Sequence, residues 1–274
     1  MQCHPRVKSR VLDYYRAITE YERLLFFHRD SSLAPEAEFR IALSYLKGGK
    51  PDAARAYLRN LASVHTVDDM GRRATLTMAG SYYAEGDYAH AADEIDTYLK
   101  AYPAVPETDS IRLLQGLCRL REGEKDLAVD SFRSVALTSR VSEAATGLAG
   151  QAKVYENLPH KSAWLAGSMS AALPGAGQLY VGRPQDAAIA FILNGVLIWG
   201  GYEAFDKGEN VAGVMLAVVE AGWYFGNIYN AANNAHKFNR RQKDTFFRNV
   251  EIRFAPALLP DGDWGGAGGV FFKF

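Results

Sequence analysis

The sequence has little cysteine and no surplus of charge of either sign. Cys3 and Cys118 are its only cysteines, and without a CxxC pair they outline neither a metal site nor a redox site. The 31 basic and 31 acidic residues cancel, and the first part of the chain shows no basic patch of the kind that binds nucleic acid. We therefore expect no metal and no nucleic-acid partner.

Clusters of catalytic residues are also missing. The six histidines are scattered, and none forms a recognisable motif with a carboxylate, a nucleophile or metal ligands. Gly175, Gly177 and Gly182 have neither the spacing nor the following lysine of a phosphate-binding loop. The sequence therefore predicts no catalytic residue, no cofactor and no enzymatic activity.

The first part of the chain contains an internal repeat. One frame recurs there at a spacing of 37 residues, and each unit reads as a helix, a glycine-containing turn and a second helix. The matched columns are Ala42, Ala79 and Gly116; Gly49, Gly86 and Gly123; Ala54, Ala91 and Ala128; and Leu58, Ile95 and Phe132.

The middle unit, AGSYYAEGDYAHAADEIDTYLKAYP, resembles the tetratricopeptide repeat. The third unit departs from that pattern, because Arg119 stands where the first two units have Tyr45 and Tyr82. The resemblance implies an all-α helical solenoid over residues 1–158 whose concave face binds a peptide or a protein. The binding residues stay unassigned, and the alternative is a packing scaffold with no ligand in its groove.

The second part of the chain is apolar over membrane-spanning lengths. Residues 162–182 carry no charge and residues 187–205 carry only Glu203, while about 20 apolar residues cross a bilayer. Both segments are predicted to be spans, and a segment from Val211 onwards is either a third span or a helix in the membrane interface. The alternative is that these segments are core helices of a soluble protein.

The stretch LPGAGQLYVGRPQDA separates the first two apolar segments and is predicted to be a hairpin turn between two membrane helices. It resembles bacterial membrane proteins in which a PGxGQxYxG motif joins two spans. The resemblance covers about residues 160–243 and implies a transmembrane helical domain without a biochemical activity. The matching residues are Pro174, Gly175, Gly177, Gln178, Tyr180 and Gly182.

Polar residues follow one face of the third apolar segment. Glu220, Asn227 and Asn234 repeat every seven residues, and Asn194 in the second segment is a predicted partner for this intramembrane polar stripe. Polar groups at membrane depth usually face another helix or water. The stripe is therefore either a set of interhelical hydrogen bonds or a small polar or lipid-headgroup site.

The end of the chain changes to an alternating pattern. Val250, Ile252 and Phe254 alternate with charged residues, and a glycine-rich stretch then leads to the terminal VFFKF. This alternation predicts a short C-terminal β-hairpin within residues 244–274.

These patterns favour a membrane-anchored protein-interaction scaffold. The repeat domain would recruit a protein or peptide partner, and the helices would hold it in the lipid bilayer. The alternative function is a small membrane enzyme or transporter component that uses the polar site around Glu220.

Flanking charges give the expected orientation in a bacterial inner membrane. Three spans would place the repeats in the periplasm, and two spans would place them in the cytoplasm. The opening MQCHPRVKSR has no export signal, and Ala17 and Tyr21 continue the repeat as a second helix without its first. A periplasmic repeat domain therefore predicts that a signal and a further helix precede Met1, whereas Met1 as the true start favours the cytoplasmic side.

Overall fold

The computed structural model describes residues 5–258, with side-chain environments for residues 13–250. In this part of the chain all regular structure is helical and forms twelve helices. They divide into two compact units, of which the second is Asn157–Arg248.

The first unit contains eight helices up to Glu156. They are α1 (Pro5–Phe27), α2 (Ala34–Lys47), α3 (Pro51–Val64), α4 (Asp69–Glu85), α5 (Tyr88–Ala101), α6 (Thr108–Glu122), α7 (Lys125–Arg133) and α8 (Ser142–Glu156).

Consecutive helices of the first unit pack as hairpins, α2 with α3, α4 with α5 and α6 with α7. The turns contain Gly49, Gly86 and Gly123, whose φ angles are 73°, 82° and 90°. Glycine adopts this left-handed region without the steric cost that a Cβ brings, so the glycine column reverses the chain at the same point of each unit. The predicted helix–turn–helix repeat is confirmed.

The other matched columns form the packed core of the hairpins. Ala54, Leu58 and their equivalents in the next two units are buried. The third unit has Gly116 where the others have alanine, and a Cβ on Gly116 would lie 2.6 Å from Cδ1 of Phe132. The phenylalanine ring fills the space that an alanine methyl occupies elsewhere, so the two columns compensate each other in volume.

Single helices continue the repeat at both ends of the hairpin stack. The column of Ala37, Ala74 and Ile111 extends by the same spacing to Leu148 on α8, and all four residues are buried. Helix α8 is therefore the first helix of a fourth unit, and α1 packs on α2 as the second helix of an incomplete one. The fourth unit was not recognised from the sequence.

The second unit contains the remaining helices. They are α9 (Ala163–Ala172), α10 (Ala176–Tyr180), α11 (Pro184–Asp206) and α12 (Asn210–Leu258), whose last turns run beyond this unit.

The first apolar segment does not form the predicted membrane span. Helix α9 has ten residues and is about 15 Å long at 1.5 Å per residue, half of the roughly 30 Å hydrocarbon core. The backbone amide of Gly177 on α10 donates to Oγ of Ser170 on α9 at 3.1 Å, so α10 folds back against α9. The glycine-rich motif is the turn and return leg of this short hairpin, and the prediction that it joins two spans is wrong.

Two helices in the described part of the chain are long and apolar enough to cross a membrane, Pro184–Asp206 and Asn210–Val250. Only 17% of the apolar window in the first and 11% in the second is buried. Their apolar side chains therefore face mainly outward. The third apolar segment is part of this second long helix.

The predicted C-terminal β-hairpin is not supported. Its proposed first strand, around Val250, belongs to the last turns of α12, which continue to Leu258. No glycine or proline interrupts the chain between Gly226 and Pro256, so the helix satisfies its own backbone and the short alternation does not redirect it. The remaining part of the prediction, residues 259–274, lies outside the described residues.

Candidate functional site

Two motif glycines let the helices of the second unit approach closely. Gly175 has a φ of 93°, and a Cβ there would collide with the carbonyl of Ala187 at the start of α11. A Cβ on Gly177 would lie 2.5 Å from Oγ of Ser170 and 2.8 Å from the Cβ of Ala231 on α12. Any side chain at either position would therefore push the helices apart.

Two further motif residues shape the hairpin. Pro174 is half-buried and follows Leu173, the C-cap residue of α9. Because proline lacks a backbone donor, it helps to end α9 here. Gly182, with a φ of 81°, follows α10 and leads to α11.

The close approach buries a chain of hydrogen bonds centred on Gln178, which is 2% exposed. The Ser170 hydroxyl donates to Oε1 of Gln178 at 2.8 Å. Nε2 of Gln178 donates to the backbone carbonyl of Asn227 at 3.1 Å and to the side-chain Oδ1 of the same residue. Both ends of the glutamine amide are thus bonded, and these bonds tie α9, α10 and α12 together in one arrangement.

A second connection joins the start of α11 to α12. Nη1 of Arg183 donates to Oδ1 of Asn234 at 2.9 Å, and its Nε pairs with Asp186 at 2.7 Å. Nδ2 of Asn234 donates to Oδ1 of Asn230 at 2.6 Å. Arg183 is exposed and at the same time bonds a member of the polar stripe.

Tyr180 and the entry to α9 are held at the same level of α12. The Tyr180 hydroxyl accepts from the backbone amide of Ser162 at 3.2 Å, and the Lys161 ammonium lies 4.5 Å from its ring centre. Asn239 bonds the backbone of Lys161 in both directions, at 2.8 and 2.9 Å. The α9–α10 hairpin therefore enters and leaves next to the same part of α12.

The predicted polar stripe is connected at two of its members. Asn227 and Asn234 bind residues of α10 and the start of α11, as described above. The carboxylate oxygens of Glu220 are buried without a hydrogen-bond partner. Nδ2 of Asn194 donates to the carbonyl of Ala190 in its own helix at 2.5 Å, and its Oδ1 has no partner. The structure brings Gln178 and Arg183 to the stripe in place of the expected Asn194.

Ser170 was missed in the sequence because an isolated serine in an uncharged run carries no signal of its own. The proline and glycine at Pro174 and Gly175 provided the only clue. If the chain is assumed to turn back at these two residues, within the first apolar segment, Ser170 and Gln178 lie opposite each other on the two helices of the resulting hairpin.

A cavity of about 520 Å³ opens beside this polar network, a volume typical of ligand pockets. Its walls combine three helices of the second unit. They are formed by Gln178, Asp186, Ile189, Ala190, Gly222, Trp223, Gly226, Asn227 and Asn230.

The first unit offers a different surface, along the first helices of its hairpins. Helices α2 and α4 contact each other directly, and Nη1 of Arg73 pairs with Oε2 of Glu36 at 2.9 Å. Burial disfavours the charged form of Glu36, but hydrogen bonds and the charges of Arg73 and Arg40 outweigh it and lower its pKa. Helices α2 and α4 therefore belong to one layer of the stack.

Two residues with reactive side chains belong to the core of the first unit. Tyr98 is fully buried and its hydroxyl donates to Oε1 of Glu107 at 3.1 Å. Burial raises the pKa of Tyr98 to about 12. Burial also raises the pKa of the Cys118 thiol, which keeps it protonated and unreactive.

Arg119, which departs from the tetratricopeptide pattern, bridges two helices through charge. It pairs with Asp96 on α5 at 2.7 Å and with Glu124 at 2.9 Å. The third unit therefore replaces the aromatic contact of the earlier units with ion pairs.

Residues 32–148 are similar to a protein family described as "YfiO: Outer membrane lipoprotein". This match covers α2 to α7 and the first half of α8, and it lies within the first unit. The chain has no significant match among curated proteins or solved structures.

Proposed function

We propose that this protein is a membrane-anchored scaffold whose repeat unit binds a protein or peptide partner. The observation that carries the proposal is the regular helical stack of residues 34–156 within a chain that also has two apolar helices of spanning length. The matched family is a tetratricopeptide-like scaffold family of outer membrane lipoproteins, which supports partner binding, a non-enzymatic role and a bacterial membrane-associated protein. In this proposal the repeat domain comprises residues 1–158 and the transmembrane helical domain residues 160–243.

The second unit would anchor the chain through a two-span hairpin of α11 and α12. Helices α9 and α10 would enter the bilayer about halfway and return to the same side. Non-helical backbone is tolerated at that depth only where it is buried in protein or lines a cavity. The buried Gly175 and the bonded Gln178 meet that requirement.

Two crossings return the chain to the side from which it started. The segments next to the spans on that side carry most of the positive charge, through Lys161, Arg183 and the run from Lys237 to Lys243, whereas the short loop on the other side has Lys207 beside acidic residues. Positive charge favours the cytoplasmic side. We therefore propose that the repeat unit is cytoplasmic and that the membrane is the inner membrane.

Partner binding is tested in native membranes with matched charge reversals. We propose that the partner binds the layer of first helices. Arg40 is exposed on α2 of that layer, and Arg59 is exposed on α3, the second helix of the same hairpin. After cross-linking, Arg40→Glu should reduce recovery of one specific partner about tenfold, the effect of losing roughly 1.4 kcal/mol of binding. Arg59→Glu should leave recovery unchanged. Equal recovery with both variants, or no specific partner with the wild type, would contradict the proposal.

Orientation is tested by labelling a single cysteine placed at position 59. A membrane-impermeant maleimide should label Arg59→Cys only after the inner membrane is opened. Labelling in cells with only a permeabilised outer membrane would place the repeats in the periplasm.

A further inference from the structure

One stretch of α12 carries positive charge without any negative charge. Between Glu220 and Asp244 the sequence has no acidic residue. The basic residues of the same stretch are Lys237, Arg240, Arg241 and Lys243. The charge of this part of the helix is therefore not balanced by neighbours along the chain.

The fold of the second unit brings two further cations to this stretch. Asn239 bonds the backbone of Lys161 at 2.8 and 2.9 Å. Nη1 of Arg183 donates to Oδ1 of Asn234 at 2.9 Å, while its Nε pairs with Asp186. Together with the four on α12 they make six basic side chains at one end of the two long helices. Asp186 offsets only one of these charges.

Two of these cations are exposed and free to bind an anion. Lys237 and Arg241 are exposed, and neither forms an ion pair with any residue that the structure describes. They follow Asn230 and Asn234 at the three- and four-residue spacings that place side chains on one face of a helix. Nδ2 of Asn234 donates to Oδ1 of Asn230 at 2.6 Å, as expected for neighbours on that face. We call these four residues the basic strip.

The same face of α12 is apolar on the other side of Asn230. Val219 and Trp223 continue it towards the start of the helix, and they are 56% and 47% exposed. Trp223 is about 10 Å from Asn230 along the axis, and Lys237 is about 10 Å from Asn230 in the opposite direction, at 1.5 Å per residue. Since charged side chains are costly in hydrocarbon, the change at Asn230 would lie at the level of the lipid headgroups.

We propose that the basic strip binds the phosphate of an anionic phospholipid, with Lys237 and Arg241 contacting the phosphate oxygens. The acyl chains would lie along the apolar part of the same face. A free phosphate ion or an acidic protein segment would use the cations alone and gain nothing from the adjoining apolar surface. Clusters of about four to eight basic residues on the cytoplasmic side of a span are typical of anionic-lipid binding. The proposal rests on the membrane anchoring and orientation proposed above.

The test compares two lipids on the full chain by native mass spectrometry in a mild detergent, the anionic phosphatidylglycerol and the zwitterionic phosphatidylethanolamine. The wild type should prefer phosphatidylglycerol about tenfold. Lys237→Gln combined with Arg241→Gln should lower that preference about fivefold or more, because each basic residue near an anionic surface changes affinity by roughly that factor. Arg59→Gln combined with Lys100→Gln is the matched control, because it removes the same charge from exposed positions of the first unit.

Two further measurements separate the effect of charge from a general loss of structure. Lys237→Arg combined with Arg241→Lys keeps both charges and should keep the preference for phosphatidylglycerol. Raising the salt concentration to about 1 M shortens the Debye length to about 3 Å and should lower the preference of the wild type as the two glutamine substitutions do.

Four results would overturn the proposal. They are equal retention of the two lipids by the wild type, equal loss of preference in both glutamine double variants, a preference that salt does not change, and release of the lipid by an equal concentration of inorganic phosphate or polyglutamate. The last result would indicate a site for a free anion or an acidic protein. Carbonate extraction of native membranes separates this proposal from the anchor. A chain released by carbonate contradicts the anchor, whereas an integrated chain without lipid preference contradicts only the anionic-lipid site.

Discussion

The two units of this protein bury opposite kinds of side chain. The first unit encloses large apolar residues such as Ile41, Leu58 and Phe132. The second encloses polar residues such as Ser170 and Gln178, while its large apolar side chains point outward. The first pattern is that of a chain folded in water, where apolar area drives burial. The second pattern fits a hydrocarbon solvent, where unsatisfied polar groups are costly and helices associate through small residues and hydrogen bonds.

The difference shows that similar glycines do different work in the two units. In the repeat, Gly49, Gly86 and Gly123 supply a left-handed backbone. In the second unit, Gly177 is helical and supplies space. Substitutions at glycines and at polar core residues therefore separate the two kinds of packing.

The largest effect is expected at Gly177 in the second unit. Gly177→Val introduces a branched side chain at a position where even a single added Cβ would lie 2.5 Å from Oγ of Ser170. Overpacking of this kind costs about 1–3 kcal/mol or more, so thermal unfolding in detergent should show a strongly destabilised second unit. Gly195→Val is the control for a β-branched residue in an open helical position. Equal destabilisation by both would contradict the packing assignment.

A smaller loss is expected when the polar core of the second unit loses its centre. Gln178→Leu removes the bonds to Ser170 and Asn227 and leaves their polar atoms buried, at a cost of about 1–3 kcal/mol. The measurement is thermal unfolding in detergent. Adding Ser170→Ala should cost less in the Gln178→Leu background than in the wild type. Additive losses would show that the two side chains do not form one network.

Within the first unit, Gly116→Ala should cost about 1–3 kcal/mol by overpacking against Phe132. Combining it with Phe132→Leu recreates the alanine and leucine found at Ala42 and Leu58 in the first hairpin. The double variant should recover part of the loss in urea unfolding, which defines a double-mutant cycle. No recovery would mean that the two columns are not coupled.

The smallest effect concerns the ion pair between Glu36 and Arg73. Because the pKa of Glu36 is lowered from its ordinary value of 4.5 in the folded chain, its stabilisation is present above that value and is lost as pH falls through the folded pKa. The pair is partly exposed, so the loss should stay below about 1 kcal/mol. Glu36→Gln should flatten the acid dependence of urea unfolding. Parallel acid curves for the wild type and Glu36→Gln would contradict this.

Much of the first unit could be predicted, because its information is local and repeated. The turn glycine and the core alanine, Gly86 and Ala91 in the middle unit, have equivalents at the same positions of the other two units. Because the matches share one fixed spacing, the repeat could be recognised from the sequence. The fourth unit escaped detection because only the core column ending at Leu148 persists. The second unit was predicted as apolar helices and a polar stripe, but the break at Pro174 was placed between spans instead of within a folded-back hairpin.

The sequence by itself determined the repeat frame, its glycine-containing turns and the long apolar helix α11, since each follows from backbone preference or from the length of an apolar run. The equally long uncharged run at residues 162–182 folds instead into the short hairpin of α9 and α10. Tertiary structure alone decided which polar groups meet. Gln178 and Asn227 are 49 residues apart, and their contact depends on α9 and α10 folding back against α12. The hydrophobicity of such a segment predicts that it is removed from water. Packing against the other helices determines where its backbone turns and which acceptor each buried donor binds.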